Sequence, residues 1–414
     1  MRRPPALQYR DFRRFLFGSF VSNIGNNVQA WAIAWHVFHL TDSSLMVGLL
    51  GLVRVGPLLL FSLFGGVVAD HADRRTVLLW SQGGMAVVSL MLALASALGW
   101  QSVGFIYAMV ALNAVARAFD GPARQATQVG LVPKDVFPNA ASLNGVAWRL
   151  SDVLGPVVTG TLIAAYTQEP LKGLELCYLL NFVSFFALFF AVWRLPKRPA
   201  VDLPDAPKSA REVIARIREG LSFVNRTPVV RSAMWIDFWA TFFSGADALL
   251  PAFAAKQLGL GPEGYGILAA SSGFGALIAA SCLTFLPTVQ RQGRLVVSMI
   301  ACFGLCTIGF GLSQNLWTAS LCLAGVGASD MISTVMRQTI RQLSTPDELR
   351  GRMTATSSLF HISGPQLGDF EAGAVAAAGG ERFSIILGGG LCMLVAAHWS
   401  RARQLVGYQH RDSR

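Results

Sequence analysis

Several charged side chains stand where nearly all their neighbours are apolar: Arg54, Arg117, Asp120, Arg149, Asp152 and Asp237. In hydrocarbon a charge costs at least about 2.5–3.5 kcal/mol, so it requires a partner or a water-filled cavity and marks a path for substrate or protons. Arg149 and Asp152 are three residues apart and share a helix face, as do Arg117 and Asp120. For each pair two readings stand open: a structural ion pair, or part of a central cavity that binds substrate or carries a proton. Arg54 has no partner near it in sequence, which favours the cavity. Asp237 is the first candidate for a titrating acid, because burial favours the neutral form of a carboxyl group. Asn23 and Asn26, with Asn27, either line the cavity or bond neighbouring helices. Asp369 and Glu371 fall near an outer boundary and read as solvated, and His36, His39 and His361 read as boundary or packing residues.

The elements that must position these groups are membrane helices. The chain of 414 residues is 53% hydrophobic and 14% charged, whereas a soluble domain carries roughly 25% charged residues. A span needs about 20 apolar residues. Apolar runs of that kind occur at 15–38, 45–69, 76–99, 102–122, 139–166, 174–194, 229–256, 262–286, 295–313, 316–336, 353–378 and 383–400. The expected fold is therefore all-α and integral to the membrane, with twelve transmembrane helices. Of the 34 lysines and arginines, 28 fall in connections on one side of these spans and only Lys172, Lys256 and Arg382 on the other. That asymmetry places both termini in the cytoplasm. It also accounts for the net charge of +11 without any nucleic-acid partner. The basic start of the chain reads as a cytoplasmic tail feeding the first span, not as a cleaved signal.

One long polar break, 195–228, divides the spans into 1–194 and 229–400, and 401–414 reads as a cytoplasmic tail. Within the break, Val213, Ile214, Ile217, Leu221 and Val224 share one face of a helix beginning after Ser209, which predicts a surface helix at the membrane boundary. The two halves resemble each other. Arg124-Gln125, Pro133 and Gly155 recur as Arg337-Gln338, Pro346 and Gly368, each 213 residues later. Two pseudo-symmetric six-helix bundles are expected.

The loop from Gly65 through Gly66, Asp70, Asp73, Arg74 and Arg75 resembles the G-x-x-x-D-x-x-G-R-R signature of the major facilitator superfamily, with Asp73 where that family usually has Gly. The resemblance implies that Gly66, Asp70, Arg74 and Arg75 form a conformational latch. Further matches run from Phe12-Arg13-Arg14-Phe15 and Ser22-Asn23-Ile24-Gly25-Asn26 to Phe119-Asp120-Gly121-Pro122-Ala123-Arg124-Gln125 and Asp347-Glu348-Leu349-Arg350-Gly351-Arg352. These resemble the branch holding macrolide-efflux and enterobactin-exporter-like proteins. Arg117-x-x-x-Gly121 matches the family's fourth-span pattern, where the arginine is implicated in proton transfer. Gly155-Pro156 resembles, incompletely, the fifth-span pattern of exporters, and Pro there bends a helix while Gly admits a close neighbour.

The resemblance implies a proton-coupled exporter of amphiphilic small molecules of drug or siderophore class, working by alternating access. It would act as a monomer in the inner membrane, with protons, lipid and a small-molecule substrate as its partners. A nutrient importer on the same scaffold and a membrane-embedded lipid-handling protein are the alternatives. Enzyme signatures such as H-E-x-x-H or G-x-S-x-G are missing, and none of the five lysines follows a glycine, so no ATP phosphate loop is present. The six cysteines lie in apolar runs without metal-ligand spacing, so neither metal nor cofactor is expected.

Overall fold

The computed structural model describes residues 4–71, 73–100, 102–196, 210–285 and 289–408, with backbone alone at 62–71, 210, 213, 347 and 355. Among these residues every regular element is a helix. The first stretch holds α1 (Arg10–Thr41), α2 (Ser44–His71), α3 (Arg74–Ala97), α4 (Val103–Val129), α5 (Phe137–Ala164) and α6 (Pro170–Trp193). Next come the polar α7 (Ala210–Arg226), then α8 (Pro228–Phe242) and α9 (Ala246–Ala252). The rest is α10 (Pro262–Phe285), α11 (Gln292–Leu312), α12 (Leu316–Leu343), α13 (Arg350–Gly379), α14 (Glu381–Ser400) and the short α15 (Arg403–Val406).

Nine helical segments among the described residues are long and apolar enough to cross a membrane. α1, α5 and α13 have 32, 28 and 30 residues but stay outside that group. α1 and α5 carry Asn23, Asn26, Arg149 and Asp152, and α13 carries His361, Asp369 and Glu371. The other expected pathway residues, Arg54, Arg117 and Asp237, stand on other helices.

Packing divides the chain into one unit of residues 1–40 and 56–213 and a second of 41–55 and 214–414. The first part of α2, to Val55, therefore groups with the second unit, whereas the sequence reading put the division in the linker alone. The reason is local: Gly48 and Gly51 have no side chain, and a Cβ at either would run into the backbone of Asp369 or Gln366 on α13. α7 also belongs almost wholly to the second unit. Its Gly220 sits against Arg352 and Thr356, Glu219 pairs with Arg352, and Val224 is buried with Val230 and Met234. Ile214 and Leu221, expected on the same face, are exposed.

The duplication is visible in the packing. α3 packs on α4 and α6 in the first unit, and α11 on α12 and α14 in the second. Gly155 lets α5 press on Asn27 of α1, and Gly368 lets α13 press on Thr241 and Phe242 of α8. Alanine at either position is expected to lower the melting temperature of the detergent-purified protein, at a cost of about 1–3 kcal/mol for overpacking. Gly145→Ala, where the added methyl meets nothing within 4 Å, is the control; equal melting of all three variants would refute the close-contact role.

Span seven is interrupted. α8 ends at Phe242, and the chain resumes as α9 after Gly245, which abuts Gly368 so closely that no Cβ fits. A continuous span over 229–256 was expected; the segment instead breaks between Phe243 and Gly245 and ends in one π turn at Phe253–Gln257.

Candidate functional site

Within the first unit, a polar network crosses an otherwise apolar bundle. Asp120 on α4 is buried, and its Oδ2 receives Nε and Nη2 of Arg124, both at 2.9 Å, one helical turn on. Its Oδ1 accepts from Gln82 Nε2 at 2.6 Å and Ser81 Oγ at 3.3 Å on α3. Arg124 also donates to Asn23 Oδ1 on α1 at 3.2 Å. The carboxylate is thus satisfied at both oxygens, as a buried charge must be. The sequence reading set Asp120 beside Arg117; the structure engages it with Arg124, whose i,i+4 spacing is equally good.

This network forms one wall of a cavity of about 450 Å³. Asn23, Asn26, Arg117, Asp120 and Arg124, with Gln125, Gln128 and Asn144, supply its charged and polar lining, and Leu58, Met85, Phe137 and Trp148 its apolar faces. Ligand pockets characteristically combine largely apolar walls with a few placed polar groups. Three of the expected site residues, Asn23, Asn26 and Arg117, meet here. Arg149 and Asp152 stand on α5 as an ion pair at 3.7 Å, with Asn27 Nδ2 donating to Asp152 at 3.3 Å. Deeper in the unit, Gln29, Ser89 and Asn181 tie α1, α3 and α6 together.

Asp237 and Arg54 belong to the second unit. Asp237 on α8 has its Oδ1 2.7 Å from Arg337 Nη2, with Arg341 Nη1 at 3.6 Å and His361 Nδ1 at 3.8 Å from Oδ2. It therefore sits in an ion cluster, not alone in an apolar pocket. α12 was expected to end at 336 but runs to Leu343. Arg337 is consequently 1% exposed and Arg341 8% exposed, although both were assigned to a cytoplasmic connection. Arg54 has Asp369 of α13 and Tyr265 of α10 within electrostatic reach. Asp369, read as solvated, is only partly exposed and takes the backbone N–H of Ala248.

Two histidines also find settings the sequence left open. His36 is buried against the Tyr178 hydroxyl at 2.9 Å, a packing role as read. His361 faces Asp237 instead of merely packing.

The surroundings of Gly66 and the side chain of Asp70 in the latch motif lie outside what is described. Asp73, the departure from the family pattern, caps α3: it accepts from Arg75 N at 3.2 Å and Thr76 Oγ1 at 2.9 Å. A side-chain oxygen at that position satisfies an otherwise orphaned helix N–H, which glycine could not do. Arg74 donates to Ala126 O near the end of α4 at 3.2 Å, and Arg75 to Trp193 O at the end of α6 at 2.5 Å. Cations there meet the free carbonyls and the negative end of each helix dipole. Pro156 lies inside a helix that runs unbroken from Phe137 to Ala164.

Sequence reasoning missed Arg337 and Arg341 as buried charges, and Arg124 as a charge on the cavity wall. Arg124 and Arg337 are the arginines of the duplicated Arg-Gln pair, so the internal repeat was the signal that could have found two of them.

The arrangement has known relatives. Residues 5–413 match the family model described as transmembrane secretion effector. The enterobactin exporter EntS of Salmonella choleraesuis (strain SC-B67) is 25% identical over 402 residues, covering 95% of this chain and 94% of that protein. The enterobactin exporter EntS of Escherichia coli O1:K1 / APEC is 24% identical, covering 95% and 93%. In fold, the chain is similar to a bacterial homolog of the human lysosomal transporter Spinster, with TM-score 0.74, 12% identity and 99% of both chains covered. It is also similar to a bacterial homologue of the iron transporter ferroportin, with TM-score 0.69, 18% identity, and 95% of this chain and 99% of that one covered.

Proposed function

The chain belongs to the transmembrane secretion effector family of the major facilitator superfamily, and from that premise we propose that it is a proton-coupled exporter of amphiphilic small molecules of siderophore class. The observation that carries this reading is the first-unit cavity, where Arg117, Arg124 and Asp120 meet apolar walls inside a membrane bundle. Such a site suits a cargo with an apolar or aromatic body and an anionic group, the cations holding the charge and Trp148 and Phe137 the rings. The names of the exporters to which the chain is similar agree in class. In this reading the chain makes twelve crossings of a bacterial inner membrane as a monomer and not as an enzyme. Both termini are cytoplasmic, and protons drive export by alternating access.

Inverted membrane vesicles loaded with this protein are the test. An imposed pH gradient is expected to drive uptake of enterobactin, and full collapse of the gradient to abolish it. Uptake that survives uncoupling would refute the proton mechanism, and a lack of uptake would refute the export reading. Asp70→Asn is expected to cut uptake at unchanged expression; normal uptake would remove Asp70 from the latch.

A further inference from the structure

The second unit has its own cavity, of about 300 Å³, between α12 and α13. Its lining residues Thr334, Gln338, Arg341, Thr354, Ser357 and His361 each stand 213 residues after a residue lining the first-unit cavity: Gly121, Gln125, Gln128, Ala141, Asn144 and Trp148. That is the offset of the sequence repeat. The two cavities therefore occupy corresponding places in the repeat, with different chemistry at most of the shared positions. Gln128 becomes Arg341, the aromatic Trp148 becomes His361, and Gly121 and Ala141 become the hydroxyl-bearing Thr334 and Thr354. The changes to Arg341, Thr334 and Thr354 add hydrogen-bond donors, and those to Arg341 and His361 add a cation or a group that becomes one on protonation.

No Asp or Glu lines this cavity among the described residues. The nearby Asp237 is 2% exposed and already holds Arg337 at hydrogen-bond distance. Arg341 and His361 stand 3.6 and 3.8 Å from its Oδ2 as ion pairs, beyond hydrogen-bond distance. Among the described residues Arg341 Nη1 makes no hydrogen bond at all. Thr354 and Ser357 lie on the face of α13 that also carries His361 and Ser358.

We infer that this second cavity binds an oxyanion — a carboxylate, phosphate or phenolate-type group — held by Arg341 and His361 with the hydroxyl of Ser357. The anion is either borne by a soluble molecule or part of a lipid headgroup. The inference stands on the cavity and its repeat, and it survives failure of the export reading.

The test is binding to the full chain in uncharged maltoside detergent, read as thermal stability against low-millimolar inorganic phosphate at constant ionic strength. A saturable rise in melting temperature is expected. Arg341→Gln, which restores the residue of the first cavity, is expected to weaken the apparent affinity about tenfold, the loss of one charge-assisted contact. Folding should survive, because Asp237 keeps Arg337. Arg341→Lys is expected to retain most of the response and His361→Trp to reduce it, and Ser357→Ala provides an independent, smaller loss. A wild type indifferent to phosphate, or an Arg341→Gln variant with unchanged affinity, overturns the inference. In vesicles of phosphatidylcholine, with or without phosphatidylglycerol, competition by the anionic lipid assigns the site to a headgroup. Unchanged phosphate binding in both assigns it to a soluble anion.

Discussion

Asp237→Asn is expected to destabilise the folded protein by about 3–5 kcal/mol, the usual result of removing one member of a buried ion pair. Its partner Arg337 is 1% exposed and would lose the carboxylate oxygen now at 2.7 Å. Ser333 and Thr334 would still accept from it, both at 2.8 Å, and Asp330 would remain at 3.5 Å, which places the effect toward the lower end. Thermal unfolding of the purified protein measures it. The double variant Asp237→Leu with Arg337→Met removes both charges and is expected to recover part of the loss, because Arg337 is then no longer stranded, while Arg341 still loses the carboxylate 3.6 Å from it. An Asp237→Asn protein that melts like the wild type yet loses proton-driven transport would give the opposite answer: Asp237 would be a proton carrier and its ion pair dispensable.

Asp120→Asn is expected to lower transport roughly ten- to hundredfold, since a hydrogen bond to a charged group contributes about 1.5–3 kcal/mol. The variant leaves Arg124 on the cavity wall without its carboxylate and weakens the bond from Gln82. Vesicle uptake normalised to folded protein measures the effect.

The repeat supplies a rescue. Position 120 corresponds to Ser333, and the second unit holds its acid instead on α8, the counterpart of α1. Asn23 of α1 already meets Arg124 at 3.2 Å. The 213-residue offset puts Asp237 at Ile24, next to Asn23; Asp120→Ser combined with Asn23→Asp therefore places an acid on α1 within reach of Arg124, much as α8 places Asp237 beside Arg337. Recovery of transport in this double variant is expected. A double variant as inactive as the single one would show that the cavity needs the acid at position 120 itself, and not merely a neutralised arginine.

The sequence by itself determined the solvent, and through it much of the architecture. A chain this poor in charge folds only in lipid, where every backbone group must be satisfied within a helix. The 213-residue repeat named the positions that hold the helices together, Gly155 and Gly368 among them, because backbone contact excludes any side chain. Asn23, Asn26 and Arg117 were legible as cavity residues because a polar group in hydrocarbon is costly wherever it stands.

Tertiary structure decided who partners whom. Asp120 had cations at both i−3 and i+4, and helix periodicity alone does not choose between Arg117 and Arg124. The position of Asn23 on the neighbouring helix supplies a further contact for Arg124. Arg337 and Arg341 read as solvated because hydropathy ended their span at 336. Their burial follows from Asp237, about a hundred residues earlier, whose carboxylate offsets the desolvation of Arg337. Arg54 and Asp369 meet only because Gly48 and Gly51 let α2 lie against α13. A charge far from any partner in sequence shows only that a partner is needed; the packing of helices distant in the chain determines which one it is.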